Sequence, residues 1–336
     1  MKAQFGFVGR TPRMLRASAV SALTLMAAVA VGGLWFSGSS SAQESGASPS
    51  TAQVNEARVL AGRATGYRDL DQSSLEAVST PERIVAVTRS NVAPTEVWRA
   101  LEHAEKVECL SCIPHVAKLL YNDDPRTREI SAWWLRRRIF GVFGPGEVYS
   151  QTVDTLTDAT QPEARRAAAA EALGEFMTRA GVSHVAQAAV ADSSAKVRLS
   201  AVRALQRLNS EGPAGELAAA MADSDEQVRL AAISAAEKIN RFTGVASVTE
   251  RLADSSSAVR VRAVQALGQF KARDAVSGLV ALTDPDNEDN AEVRAAAVAA
   301  LGRIGDSAGR SAVARAESSD PDRFVRNAAR IALLRL

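Results

Sequence analysis

The chain has 336 residues, with 40 basic against 38 acidic side chains, two cysteines and 5% aromatic residues. The four basic residues before position 43 (Lys2, Arg10, Arg13, Arg16) face no acid there, and without them 36 basic residues stand against 38 acidic ones. A slightly acidic remainder lacks the electrostatic footprint of a nucleic-acid binder, and no run of alternating β-branched residues predicts a strand.

Residues 1–16 are basic, Ala17 to Phe36 form an apolar run, and small residues at 40 and 42 fit a signal-peptidase cut after Ala42. Residues 1–42 therefore read as an export signal and place the rest in the periplasm. The apolar run also has the length of a retained anchor in the inner membrane, with the rest of the chain still outside the cytoplasm. Residues 43–90 are predicted to be a mostly disordered linker, with a weak helical signal at Ile84, Val85 and Val87.

A helix is predicted from 91 to about 107, with Val97, Ala100, Leu101 and Ala104 on one face, and it reads as an N-terminal cap. From about 113 the chain repeats. Asp192-Ser-Ser-Ala-Lys-Val-Arg198 returns as Asp223-Ser-Asp-Glu-Gln-Val-Arg229 and as Asp254-Ser-Ser-Ser-Ala-Val-Arg260, two steps of 31 residues. After each Asp an apolar stripe at i, i+4, i+7, i+8 and i+11 predicts a long helix. A shorter apolar run before the Asp predicts a short one, and Ser193 and Ser194 read as the cap of the long helix. Counting arginines at 128, 165, 198, 229, 260, 294 and 326 gives seven hairpins up to residue 336. In the second and sixth, Ala159 and Glu288 stand six residues before the Arg, and in the first Asn122 does, where the other four have Asp. An acidic insertion, 284–290, occupies the turn of the sixth. The apolar residues at the end of the last long helix predict no polar cap there. The fold class expected is all-α, a solenoid in which neighbouring hairpins share one core and the long helices line an extended concave face.

The Asp-x5-Arg turn, followed by Ala-x2-Ala/Leu, resembles HEAT repeats. The short period is similar to the HEAT-like units of phycobilisome lyases, since full HEAT units run about 40–47 residues. The resemblance implies a ladder of paired, partly buried charges between successive repeats, made by Asp192, Asp223, Asp254 and Asp320 with Arg198, Arg229, Arg260 and Arg326. It is nearly silent on function.

Candidate chemistry is sparse. Cys109 and Cys112 in an exported chain read as a disulfide staple between the cap and the first repeat. A redox-active pair is a second reading. Zinc held by His103, Cys109, Cys112 and His115 is a third, since the donor types suit a tetrahedral site although the spacing is unusual. Ile113 occupies the place where haem attachment needs His. Trp133, Trp134, Arg136, Arg137 and Arg138 concentrate residue types typical of binding hot spots. The same stretch also reads as large side chains plugging the end of the solenoid. No catalytic set and no cofactor are expected. The function expected is a non-enzymatic exported scaffold that binds a protein or peptide partner on the concave face. A relative of the chromophore lyases, or a redox or metal module at the cysteines, are the alternatives.

Overall fold

The computed structural model describes residues 73, 80–138, 146–209, 213–239 and 242–336, all within one unit of the chain. Among these residues there is no strand. Among residues 80–336 as described, sixteen α-helices follow one another as hairpins. They are α1 (Pro81–Val87) and α2 (Pro94–His103), α3 (Ile113–Lys118) and α4 (Pro125–Arg136), α5 (Glu147–Thr157) and α6 (Glu163–Glu175), and α7 (Val182–Ala191) and α8 (Ala195–Leu208). Then come α9 (Ala214–Ala220) and α10 (Glu226–Lys238), α11 (Val245–Glu250) and α12 (Ser257–Phe270), α13 (Val276–Ala281) and α14 (Ala291–Ile304), and α15 (Arg310–Ser319) and α16 (Arg323–Leu333).

Each long helix packs on the long helix before and after it, α6 on α8, α8 on α10 and so on to α14 on α16, and each also packs on the short helix of its own hairpin. One face of a single hairpin cannot hide its apolar stripe, so stacking supplies the core. In α8 that stripe is Val197, Ala201, Ala204 and Leu205, all at most 1% exposed. Small residues let the helices approach closely. Gly174 of α6 lies so near Ala204 of α8 that a Cβ there would sit 2.8 Å from it, and Gly302 of α14 meets Ala332 of α16 in the same way.

The long helices begin alike. The residue two places after the turn acid caps the first amides. Asp225 Oδ1 accepts from the N–H groups of Gln227 and Val228, Asn290 Oδ1 from Glu292 and Val293, and Asp322 Oδ1 from Phe324 and Val325. Ser194 holds the equivalent place on α8, but its hydroxyl turns to Glu163 of the preceding repeat instead, at 2.7 Å.

One boundary differs from the sequence expectation. Residues 80–90 belong to the folded array and not to a linker. Thr80 caps α1, and Ile84 and Val87 are buried at 1% and 4% exposure. The predicted capping helix is thus the second half of a hairpin, and the stack begins one unit earlier than the Asp–Arg signature. On α16, Asn327 and Arg330 are exposed and joined by a 2.7 Å hydrogen bond, while at its end Ile331 and Leu334 are exposed apolar residues, as the sequence predicts. Residues 1–42, read as an export signal, lie outside the described residues. No described helix is long and apolar enough to cross a membrane.

Candidate functional site

The ladder is the most regular feature. Arg198 Nε and Nη2 donate to the two carboxylate oxygens of Asp223 in the next hairpin, at 2.6 and 2.8 Å, while Nη1 donates back to the carbonyls of Asp192 and Ser193. Arg229 does the same with Asp254, at 2.9 and 2.9 Å. Arg294 does so with Asp320, at 2.9 and 3.2 Å. A planar fork matched to a carboxylate fixes both distance and orientation, which a lysine could not do. Each carboxylate also accepts an N–H from its own turn, as Asp223 does from Asp225 at 2.8 Å.

Two rungs stand where the sequence pattern looked broken. Glu288 takes the Asp place, and Arg260 grips it at 2.7 and 2.8 Å. In the second repeat the rung belongs to Arg166, which holds Asp192 at 2.9 and 2.8 Å, and not to Arg165. Arg165 instead lies over the Tyr121 ring, 4.1 Å from its centre. Arg326 keeps the inner bonds, to the carbonyls of Asp320 and Pro321, but has no carboxylate on its outer edge among the described residues. Asp192, Asp223, Asp254 and Asp320 are therefore each matched by the arginine of the preceding hairpin.

Burial alone would raise the carboxyl pKa values of Asp192, Asp223, Asp254 and Glu288. The arginine forks and turn N–H groups outweigh it and hold all four below the ordinary range. Hydrogen bonding to Asp192, Asp223, Glu288 and Asp320, against some burial, raises Arg166, Arg198, Arg260 and Arg294. Groups locked ionised in this way cannot exchange protons near neutral pH, so the ladder is structural.

The stretch singled out for its aromatics and arginines is mostly interior. Trp134 is 1% exposed and its indole N–H donates to the Ala104 carbonyl at 2.9 Å. Arg138, 2% exposed, stacks on the Trp134 ring at 3.8 Å and donates to the carbonyls of Trp134, Glu105 and Val107. These two residues pin α4 to the end of α2, which removes them from any partner surface. Trp133 is half-buried against the core. Arg136 reaches the Met177 sulfur, and Arg137 pairs with Glu105 at 3.0 Å on the surface.

Cys109 and Cys112 are bonded to each other, with Cys112 fully buried and its sulfur 3.7 Å from the Pro81 carbonyl. The bond consumes both thiols, and the His103 Nδ1 is engaged with the Arg99 carbonyl. His103, Cys109, Cys112 and His115 are not brought together as ligands, and no described cluster of three or more such side chains could hold a metal.

A different place is open. A cleft of about 400 Å³ lies across α4, α6 and α8, the long helices of three successive hairpins. Ala132, Ala168, Ala172 and Ala204 form its floor, and its walls carry Glu129, Glu171, Glu175, Arg203 and Arg207. It opens where the ladder steps aside. Arg128 has the usual inner bonds to the carbonyls of Asn122 and Asp123, but its Nε goes to Glu171 in the middle of α6, at 2.9 Å. The acid it might have met, Asp158, holds its own turn through Thr160 and Gln161. The ladder arginine thus enters a cleft wall instead of closing the gap between helices. Arg207 pairs with Glu175 and lies 4.0 Å from Glu129. Arg203 is exposed and has no partner among the described residues.

Sequence reasoning missed this cleft, although its signal was present. Counting from the ladder arginine of each helix, the fifth and ninth residues are Glu171 and Glu175 on α6 and Arg203 and Arg207 on α8. Residues four apart share a helix face, so a doubly acidic edge faces a doubly basic one.

A model for HEAT repeats matches residues 245–334. Residues 245–334 are HEAT repeats, and the hairpins before them share the same fold. Among solved structures, the yeast importin-β Kap95p bound to RanGDP overlays this HEAT array with a TM-score of 0.62 at 17% identity, covering 84% of this chain and 45% of that one. YibA of Escherichia coli overlays with 0.50 at 14% identity, covering 81% and 100%. The CpcE–CpcF complex of phycocyanin lyase from Nostoc gives 0.35 at 20% identity, covering 66% and 86%. This chain spans less than half of Kap95p. At these identities the likeness is one of fold. No curated protein matches the sequence.

Proposed function

We propose that the protein is a non-enzymatic scaffold that holds an extended segment of a protein partner in the cleft across α4, α6 and α8. The observation that carries this reading is the alanine floor flanked by the exposed Arg203 and the Glu171–Glu175 edge. Small side chains let a peptide backbone lie close to the helices, and charges of both signs fix its register. Kap95p, a solenoid of the same architecture, is seen bound to RanGDP, an example of a protein partner held by such an array. The partner segment offers a carboxylate to Arg203 and a cation to Glu129.

Affinity capture with the purified protein from a periplasmic extract tests this. One partner should be recovered by the wild-type chain and lost with Arg203→Glu, while the circular dichroism spectrum stays unchanged. Recovery that ignores Arg203→Glu, or none with folded protein, would refute the cleft. Export belongs to the same proposal and rests on the pattern of residues 1–42. N-terminal sequencing of the mature protein should begin at Gln43, and an uncleaved chain would count against it.

A further inference from the structure

The cleft is one end of a longer surface. Ser200, two places after the ladder arginine of α8, has its hydroxyl 3.4 Å from Glu171, five places after that of α6. The contact returns two hairpins on. Arg262, two places after the ladder arginine of α12, donates through Nε to Ser234, five places after that of α10, at 3.0 Å. Each long helix packs on the next, so these positions on α8, α10, α12 and α14 continue the face into which the cleft opens. Charge is sorted along it. At the second, fifth, eighth and ninth places after the ladder arginines stand Arg203, Arg207, Lys238, Arg262 and Arg303, against one acid, Glu237. That acid is withdrawn from solvent, its side chain 5% exposed and paired with Arg262. Arg207 pairs with Glu175 where the row meets the cleft. Arg203, Lys238 and Arg303 are exposed. Arg303 reaches back to α12, where its Nη1 lies 3.5 Å from the place a Cβ on Gly268 would take. Nearer the starts of these helices the signs are mixed, Lys196 against Glu226 and Glu292. The helix dipole favours cations in a last turn, but Arg203 and Arg262 stand before the last turns of α8 and α12.

We propose that this row carries an acidic, extended segment of a partner protein, with a carboxylate at about every third residue. The inference rests on the scaffold reading of the cleft and names the chemistry of the partner beyond it. Packed helices lie about 10 Å apart, and an extended peptide advances about 3.3 Å per residue. A segment laid across α8, α10, α12 and α14 therefore brings one carboxylate to each helix at that spacing. Charge complementarity chooses the occupant, and the acidic stretches of this chain do not fit. The exposed Asp286 and Asp289 belong to a turn closed by the N–H groups of Asn287 and Glu288 on the Asp284 carbonyl, which cannot stretch over four helices. In residues 43–79 the acids are Glu44, Glu56, Asp69, Asp71 and Glu76, no two of them three or four places apart. These two stretches are excluded alike within one chain and from a second copy.

The probes are two fluorescent peptides of equal composition, one a repeating Glu-Ser-Ser, the other with its glutamates contiguous. Titrated with the full chain at low ionic strength and followed by anisotropy, the spaced peptide should bind, and more tightly than the contiguous one. Lys238→Gln and Arg303→Gln should each weaken it by up to about fivefold, the equivalent of one exposed ion pair. Lys238→Glu combined with Arg303→Glu should abolish binding while the circular dichroism spectrum stays unchanged. Arg315→Gln, at an exposed arginine of the short helix α15, should have no effect. No binding, equal binding of the two peptides, or binding indifferent to Lys238→Glu and Arg303→Glu would overturn the proposal. So would a dimer in sedimentation that these reversals dissociate, which would make the row an interface between copies. Neither Lys238 nor Arg303 lines the cleft, so the two readings fail separately. Partner capture that needs Arg203 but ignores Lys238→Glu and Arg303→Glu overturns the row and leaves the cleft. Peptide binding that needs Lys238 and Arg303, with capture indifferent to Arg203→Glu, supports the row and refutes the cleft.

Discussion

At Arg294 the guanidinium side chain is 4% exposed and its partner Asp320 is fully covered, whereas Arg137 and Glu105 pair on the surface at 61% and 39%. The contacts are similar in distance and should differ greatly in consequence. Removing one member of a buried pair leaves the other desolvated and unmatched, which costs about 3–5 kcal/mol. Removing one member of an exposed pair costs at most about 1 kcal/mol. Asp320→Ala should therefore lower the urea midpoint strongly, and Glu105→Ala hardly at all. The ladder also sets a pH dependence. Asp192, Asp223, Asp254 and Glu288 have folded pKa values below their unfolded ones. Their contribution is complete at neutral pH and is lost as pH falls from about 4 through the folded values. Stability should drop between pH 5 and pH 3, and the drop should be smaller in Asp254→Asn. An equal drop in the variant would show that the rungs are not its source.

At the scale of the helix, the same glycine substitution should have opposite signs in two places. Gly174 sits where α6 meets α8, and an added Cβ would lie 2.8 Å from both the Cα and Cβ of Ala204. Since backbone cannot yield as a side-chain tip can, Gly174→Ala should destabilise by about 1–3 kcal/mol, with the helical preference of alanine offsetting only part. Gly215 on α9 has nothing within 4 Å of a built Cβ. Gly215→Ala should stabilise by about 0.5–1 kcal/mol. Thermal unfolding of the two variants decides whether interhelical contact or intrinsic preference governs these sites.

The helix scale also shows how far the sequence could be read. The hairpins, their order and the carboxylate–arginine ladder were legible from a fixed period and an apolar stripe. The rung at Arg166 was not, because Arg165 and Arg166 are adjacent and identical in type. Neither has an acid six residues before it, so the repeat spacing could not choose between them. The quantity that is constant is the distance from the cap. Arg128, Arg166, Arg198, Arg229, Arg260, Arg294 and Arg326 each stand four places after the N-cap residue and donate their backbone N–H to its carbonyl. Trp134 and Arg138 were misread for a related reason. Arg138 lies in the turn that closes α4 and folds back over the Trp134 ring and carbonyl, so both are turned inward while Arg137 stays on the surface. The cleft went unseen because its residues are ordinary in type and significant only through their register between neighbouring helices.

At the scale of the whole array, stability is a sum of hairpin terms and nearest-neighbour interfaces, so cooperation between the ends depends on every interface in between. The tryptophans of the described residues, Trp98, Trp133 and Trp134, all lie in the first two hairpins, while circular dichroism samples the entire stack. With intact rungs the two signals should report a single urea transition. Asp254→Ala breaks the Arg229 rung in the middle of the array, where Arg229 is 11% exposed and left without its acid. Weakening one interface lets the two sides unfold at different urea concentrations. The fluorescence midpoint should then stay near that of wild type while the dichroism curve becomes broad or biphasic, because α12 to α16 melt first. Coincident shifts of both signals in Asp254→Ala would mean that the solenoid unfolds as one body and that the central rung stabilises it globally. Coincidence lost already in the wild-type chain would mean that its hairpins are only loosely coupled and that the ladder does not join them energetically.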